Sequence, residues 1–187
     1  QQIGRVLAAL QTTGQLANTI VVYVADHGLA VGPHGLFGKQ NLYDHSIRVP
    51  LIMQGPGVPA GGLGNELTYR YAFLPTLCPL VGIPTPAHVE GESLLPLAAG
   101  TAGRAQVCTV YKNLMRSIRR GDWKLIRYYQ PTSPSAGAMR VQLFNLAEDP
   151  WERMDRAAEP AQQARLAELH THLPHWMAQV NDPLLLP

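Results

Sequence analysis

The chain has 187 residues, 46% of them hydrophobic and 15% charged, and carries a formal net charge of +2. That length suffices for one domain with a real core, or for one core and a small appendage. The charge is too small to argue for nucleic acid or a membrane surface as a partner, and no apolar run approaches the ~20 residues needed to span a bilayer. Two cysteines, Cys78 and Cys108, allow one disulfide at most. Their apolar surroundings read as buried free thiols.

In chain order, Ile3, Val6, Leu7 and Leu10 share one helical face, and Gly14 is placed to end that helix. There is no initiator Met and no signal peptide, and the chain opens inside this helix, so the expectation is a piece of a longer protein. Thr19 to Ala25 is apolar and β-branched, which reads as a strand buried on both faces in a parallel sheet. It ends at Asp26 and His27. A carboxylate and an imidazole at the C-terminal end of a buried strand occupy the usual ligand position of an open α/β sheet. Gly28 lets the chain turn there. A glycine-rich loop follows, and its polar heads His34 and Lys39 are close enough in sequence to turn back toward Asp26 and His27. Arg48 to Met53 reads as a second buried strand, closed by Gly55-Pro56-Gly57. Residues 69–81 read as a helix stopped by Gly82-Ile83-Pro84, and Leu94 to Ala98 as a helical turn.

Near residue 100 the character changes. Residues 106–111, 116–119, 123–129 and 141–145 read as short strands of an antiparallel meander, with Gln130 to Ala138 as a mobile polar connection. A helix then begins at Pro160, with Leu166, Leu169, Leu173, Trp176 and Val180 on one face and a kink expected at Pro174. The tail from Asn181 to Pro187 reads as extended. The fold class is therefore α/β: part of a mixed, mostly parallel sheet sandwiched by helices, followed by a small antiparallel sheet with a C-terminal helix. The division falls at 1–103 and 104–187.

The order Asp26-His27-Gly28, Gly32-Pro33-His34-Gly35, Gly38-Lys39, Tyr43-Asp44-His45-Ser46-Ile47-Arg48-Val49-Pro50-Leu51-Ile52, Gly55-Pro56-Gly57 resembles the sulfatase family, within the alkaline-phosphatase-like superfamily of metal-dependent hydrolases. A lone Asp-His-Gly would be weak, because other members of the superfamily carry it. Later pieces extend the likeness over nearly the whole chain: Leu74-Pro75-Thr76-Leu77, Gly82-Ile83-Pro84, Gly91-Glu92-Ser93-Leu94-Leu95-Pro96, Gly121-Asp122-Trp123-Lys124-Leu125-Ile126, Leu143-Phe144-Asn145-Leu146 and Asp149-Pro150-Trp151-Glu152. Ala72-Phe73 departs from the pattern, since many relatives have an Asp just before the Leu-Pro-Thr-Leu step.

The resemblance implies hydrolysis of sulfate monoesters by a metal-bound formylglycine, made from the Cys or Ser of a Cys/Ser-x-Pro-x-Arg sequence. It implies Asp26 and His27 as ligands of a divalent metal, Ca²⁺ first, with Mg²⁺ or Mn²⁺ as alternatives. Such an ion takes about six or more ligands, so the others must come from elsewhere. In the family they are two acidic residues near the N-terminus and the catalytic residue. Lys39 matches the lysine that contacts the substrate sulfate. His34 either protonates the leaving group or lines the pocket, or it bonds its own loop. The plain alternatives are a strand-end Asp capping a turn with a His packed beside it, and a surface lysine. His45 and Arg48 read as structural, Asp44 as a partner for Arg48 across one helical turn, and Trp123 as a core anchor. No Cys/Ser-x-Pro-x-Arg occurs in the sequence, and Cys78 is followed directly by Pro79. The likeness is thus to the C-terminal portion of a sulfatase. The nucleophile is expected in an N-terminal half of the same protein, the substrate is a sulfate-ester small molecule or sulfated glycan, and this chain alone is expected to be inactive. The alternatives are a phosphonate or phosphate monoester hydrolase of the same superfamily, and a truncated non-catalytic remnant.

Overall fold

In the computed structural model, which describes residues 1–62, 64–130 and 138–184, the chain runs α1 (Gln2–Thr12), β1 (Val21–Val24), β2 (Ala30–Val31), β3 (Phe37–Gly38), α2 (Asp44–Ile47), β4 (Leu51–Gln54), α3 (Phe73–Leu80), α4 (Leu95–Ala98), β5 (Gln106–Tyr111), β6 (Met115–Arg120), β7 (Trp123–Tyr129), β8 (Ala138–Asn145) and α5 (Gln163–Gln179). No helix among the described residues is long and apolar enough to cross a membrane. The connection expected to be mobile, Gln130 to Ala138, lies for residues 131–137 outside the described residues.

The chain divides into two units, Gln1–Asp26 with Pro50–Arg104, and His27–Val49 with Ala105–Pro187. Residues 27–49 group with the C-terminal sheet, not with the flanking strands.

In the first unit β1 and β4 pair antiparallel, with Val21 opposite Gln54 and Val24 opposite Leu51. The pairing expected above to lie in a mixed, mostly parallel sheet is thus antiparallel here, and no parallel pair is found among the described residues. The physical reason is that an apolar β-branched run reports burial, not strand direction. Nor are these strands buried on both faces: Tyr23, Val24, Leu51 and Ile52 are all exposed. Gly55, at φ 141°, lets the chain pass Ile20, whose Cα would lie 2.7 Å from an added Cβ. In α3 the Thr76 hydroxyl donates to the Ala72 carbonyl at 2.6 Å and accepts the Leu94 N–H at 2.8 Å, tying α3 to the start of α4. Among the described residues, the buried apolar clusters all lie in the second unit.

There, β5-β6-β7-β8 form an antiparallel meander in sequence order. Residues alternate between its two faces, as a two-residue strand period requires, apart from a register shift against β8 at Tyr128/Tyr129. Cys108, Ile118, Leu125 and Leu143 pack under Leu169, Leu173 and Met177 of α5. On the opposite face Ile126 and Phe144 pack against Leu42 and Tyr43 of the 27–49 segment. Trp123, half-buried, packs against the α5-side core, as the sequence indicates. Both cysteines are buried thiols outside any disulfide, and burial pushes the Cys108 thiol up to about 12.

Pro174 sits inside α5, which runs from Gln163 to Gln179 as one helix. Proline lacks the N–H that would bond the His170 carbonyl. Arg127 of β7 supplies a replacement, its Nη2 donating to that carbonyl at 3.0 Å. The tail differs from its expected extended form: residues 181–184 turn inward. The reason is Arg116, 1% exposed, whose Nε and Nη2 donate to Asp182 Oδ2 and Oδ1 at 2.6 and 2.8 Å.

Two outcomes test this description. Asp182→Ala leaves a buried guanidinium unpaired and is expected to cost about 3–5 kcal/mol, whereas Arg165→Ala at the exposed Arg165–Glu168 pair costs about 0–1 kcal/mol. Urea unfolding followed by circular dichroism would separate the two, and equal midpoints would refute the buried pairing. The open β1 and β4 surfaces predict self-association of the isolated chain, and a monodisperse monomer by light scattering would overturn that expectation.

Candidate functional site

Residues 27–49 are shaped by a few backbone constraints. The Gly28 N–H donates to the Ser46 carbonyl at 2.9 Å, and a Cβ on Gly28 would lie 2.1 Å from the His45 carbonyl oxygen. Only glycine therefore fits beside α2. The β2–β3 hairpin turns through Gly32 and His34, both with positive φ (106° and 56°). Gly38, also at positive φ, delivers the chain to Lys39.

His27 and Lys39 are brought together. The Lys39 ammonium Nζ contacts His27 Nε2, and His27 Nδ1 lies 2.7 Å from the Gly28 carbonyl oxygen. A carbonyl can only accept, so Nδ1 carries the proton and the Nε2 lone pair faces Lys39. Asp26, the preceding residue, is exposed at the end of the first unit. His34 is placed differently. Its ring stacks on Tyr43 with centroids 3.9 Å apart and planes 4° from parallel, and its Nε2 bonds the Trp151 carbonyl at 3.1 Å. This geometry packs His34 on Tyr43 of its own loop and bonds it to the Trp151 carbonyl outside that loop.

The segment is held to the sheet by polar groups as well as apolar ones. The Tyr43 and Tyr128 hydroxyls both donate to Gln142 Oε1, at 2.8 and 2.6 Å. Lys124, with 1% of its side chain exposed, places Nζ 2.7 Å from Asp44 Oδ1 and 2.6 Å from Glu152 Oε1. The Asp44 N–H donates to Glu152 Oε2 at 2.5 Å, and Arg119 Nη1 lies 3.5 Å from Asp44 Oδ2. Burial pushes the Glu152 carboxyl above its usual range, against the opposing pull of Lys124. Asp44 thus pairs with Lys124 and Arg119, not with Arg48 as the sequence spacing suggests. Only residues 44–47 are helical, and Arg48 has already turned extended.

Sequence reasoning named the Trp123-Lys124 and Asp149–Glu152 stretches without seeing that they meet. A signal was available. A lysine in the apolar strand Trp-Lys-Leu-Ile is buried by its neighbours and so requires carboxylate partners.

Residues 32–179 match the protein family described as N-sulphoglucosamine sulphohydrolase, C-terminal. The chain is 33% identical over 171 residues to arylsulfatase K of Rattus norvegicus, covering 84% of this chain and 30% of that protein. It is 31% identical over 173 residues to N-acetylglucosamine-6-O-sulfatase of Bacteroides thetaiotaomicron, covering 86% and 28% respectively. Among solved structures it resembles a protein in complex with its substrate D-glucosamine-2-N,6-O-disulfate, with a TM-score of 0.82, 27% identity, and coverage of 97% of this chain and 39% of that one. It also resembles a phosphonate monoester hydrolase from Silicibacter pomeroyi, with a TM-score of 0.78, 27% identity, and coverage of 98% and 39%. The chain spans about a third of the length of the relatives it matches.

Acid sensitivity follows from the histidines of the second unit. Burial, then His34 and Lys124, hold His45 below the ordinary value of 6.5, with Asp44 opposing them, and burial with Arg127 does the same to His170. The unfolded chain therefore binds more protons than the folded one in the window below 6.5, so stability falls as pH drops through it. The melting temperature is expected to decline between about pH 7.5 and about pH 5.5, and His170→Gln to shrink the decline. A melting temperature independent of pH over that range would contradict the assignment.

Proposed function

This chain belongs to the sulfatase family, as a C-terminal portion of it, and from that premise we propose that it presents a lysine and an imidazole to the substrate of a sulfate-monoester hydrolase. The observation that carries the reading is the contact of Lys39 Nζ with His27 Nε2, in a loop whose backbone leaves no freedom at Gly28. A sulfuryl group gains negative charge on its oxygens as the ester bond breaks. An ammonium ion held beside it stabilises that charge, and Lys39, exposed in this chain, would do so where the rest of the site encloses it.

Asp26 and His27 would hold a divalent cation, with Ca²⁺ the first candidate and Mg²⁺ or Mn²⁺ the alternatives. A carboxylate oxygen and an imidazole nitrogen are suitable donors, and the unprotonated Nε2 is the atom of His27 able to ligate. Among the described residues no group of three or more His, Cys, Asp or Glu side chains is gathered for a metal, so these two donors fit a site completed from beyond them. Such an ion supplies Lewis-acid polarisation of the sulfuryl oxygens. An imidazole engaged by such an ion would leave the Lys39 ammonium to face the sulfate. His34 serves loop docking in this reading, not leaving-group protonation.

The nucleophile belongs to another part of the protein, because no Cys/Ser-x-Pro-x-Arg occurs in this chain. We assign it to a formylglycine in an N-terminal half. For the substrate, the similarity to N-acetylglucosamine-6-O-sulfatase and to a structure holding D-glucosamine-2-N,6-O-disulfate supports a sulfated glycan over a simple sulfate ester. The similarity to a phosphonate monoester hydrolase supports one second reading, in which the same cationic groups face a phosphonate.

The test is made on the protein with its upstream region. Sulfated glucosamine, an aryl sulfate and an aryl phosphonate ester are offered in parallel. Lys39→Ala is expected to lower kcat by about 10²–10³ with the melting temperature unchanged, and chelation of divalent metal to abolish turnover. Faster cleavage of the phosphonate selects the second reading. A protein with no nucleophile motif upstream, or with formylglycine detected by mass spectrometry and no turnover of any of the three, overturns both.

A further inference from the structure

We propose that Lys124 is a positioning residue: its buried ammonium, held between Asp44 and Glu152, sets where the 27–49 loop sits on the C-terminal sheet and so where His27 and Lys39 are presented. It rests on the sulfatase reading only for what those two side chains do, not for how they are held.

The network joins three stretches far apart in sequence. Asp44 opens α2, Lys124 lies in β7, and Glu152 follows β8. Arg119, directly across the β6–β7 ladder from Lys124, adds a second cation, so two carboxylates face two cations. Lys124 and Glu152 are each 1% exposed at the side chain and Asp44 is 15% exposed. Groups so far out of water are costly to bury, and a buried ion pair is poor evidence for stability, since apolar side chains of the same volume would serve as well. What ions add over apolar contact is direction. Leu42 and Tyr43 against Ile126 and Phe144 supply attraction, and the Tyr43 hydroxyl bond to Gln142 pins one point, but a surface held at one point tolerates pivoting. Asp44 engages through both its carboxylate and its backbone N–H, which fixes the start of α2 in position and rotation.

A second, independent observation concerns Glu152. Its φ is 56°, in the left-handed region that glycine occupies without strain. That strain is consistent with a side chain retained for its contacts, and here one carboxylate oxygen faces the Lys124 ammonium while the other accepts the Asp44 N–H.

From α2 the constraint reaches the site by two short steps. The Ser46 carbonyl takes the Gly28 N–H, and the His45 carbonyl occupies the space a Cβ on residue 28 would need. Gly28 is bonded to His27, whose Nε2 meets Lys39. A shift of α2 on the sheet therefore carries Gly28, and with it the imidazole.

The experiment compares amide hydrogen exchange in the 27–49 loop with that in β6 and β7. Lys124→Met alone leaves two carboxylates against one cation and can unfold the whole unit, so the paired variant Lys124→Met/Glu152→Gln is also made, which keeps the charge balance. In the paired variant the Gly28 and Ile47 amides are expected to exchange about tenfold faster or more, while β6 and β7 amides stay within about twofold of the parent. Loop amides that stay protected, or sheet amides that speed up by the same factor, overturn the proposal. In the protein with its upstream region, kcat for a sulfate ester is expected to fall about tenfold or more in the same variant with the melting temperature held. An unmoved kcat alongside faster loop exchange also overturns it. If the parent protein cleaves no sulfate ester at all, the functional reading fails while the exchange result still decides the positioning role.

Discussion

An ammonium ion withdrawn from water must be met by negative charge, and the second unit is arranged around that requirement at Lys124. The strand bearing it is apolar on both sides, so solvent cannot reach the charge, and the carboxylates have to be brought in by other parts of the chain. One arrives on the loop that precedes the meander by some sixty residues of sequence, the other on the segment that follows β8. Meeting one buried charge thus closes a loop from early in the chain onto a sheet from late in it. A comparable demand operates on the opposite face, where buried Arg116 draws in Asp182 and with it the end of the chain.

The sheet works as a plate with two occupied sides. Even-numbered residues of β7 (Lys124, Ile126, Tyr128) meet the loop, while odd-numbered ones (Leu125, Arg127, Tyr129) meet α5 or the core beneath it. Each side combines apolar area with directional polar contacts: Lys124 and the Gln142 bonds of Tyr43 and Tyr128 toward the loop, Arg116 toward Asp182 and Arg127 toward the His170 carbonyl left open by Pro174 on the other side. Apolar burial supplies most of the attraction and the polar contacts fix the register, a division of labour expected where packing alone leaves neighbouring arrangements close in energy.

Much of the fold was legible in the sequence because its signals are local. The meander follows from four short strands close in sequence with turns between them, α5 from its apolar spacing, and the buried thiols from their apolar neighbours. Strand direction was not legible, since the side chains of Val21–Val24 and Leu51–Gln54 report burial and carry no information on polarity of pairing. The tail was misread because Asp182 looks like any polar terminal residue until Arg116 is seen to be buried. At the site, the proximity of His27 and Lys39 was suggested by loop length and glycine content. The Asp44–Lys124–Glu152 meeting was not, since it depends on three segments whose separation in sequence says nothing of their distance in space. Asp44 was assigned to Arg48 because helical spacing was the nearest rule at hand, and a single turn of helix was too short to satisfy it.

The long reach of the Asp44 contacts has a bearing on how the molecule is made. The Asp44 N–H and the Glu152 carboxylate are 108 positions apart along the chain. A ribosome extending the chain at roughly 5–20 residues per second releases the loop several seconds before the last member of its anchor. During that interval the loop has its own hairpin and its own glycine turns but no surface to dock on, and its apolar residues are open to chaperones or to other chains. Closure over such a separation is also slow on topological grounds. On the positioning proposed for Lys124, His27 and Lys39 take their final placement only after Glu152 has been made, so that placement is a late product of biogenesis.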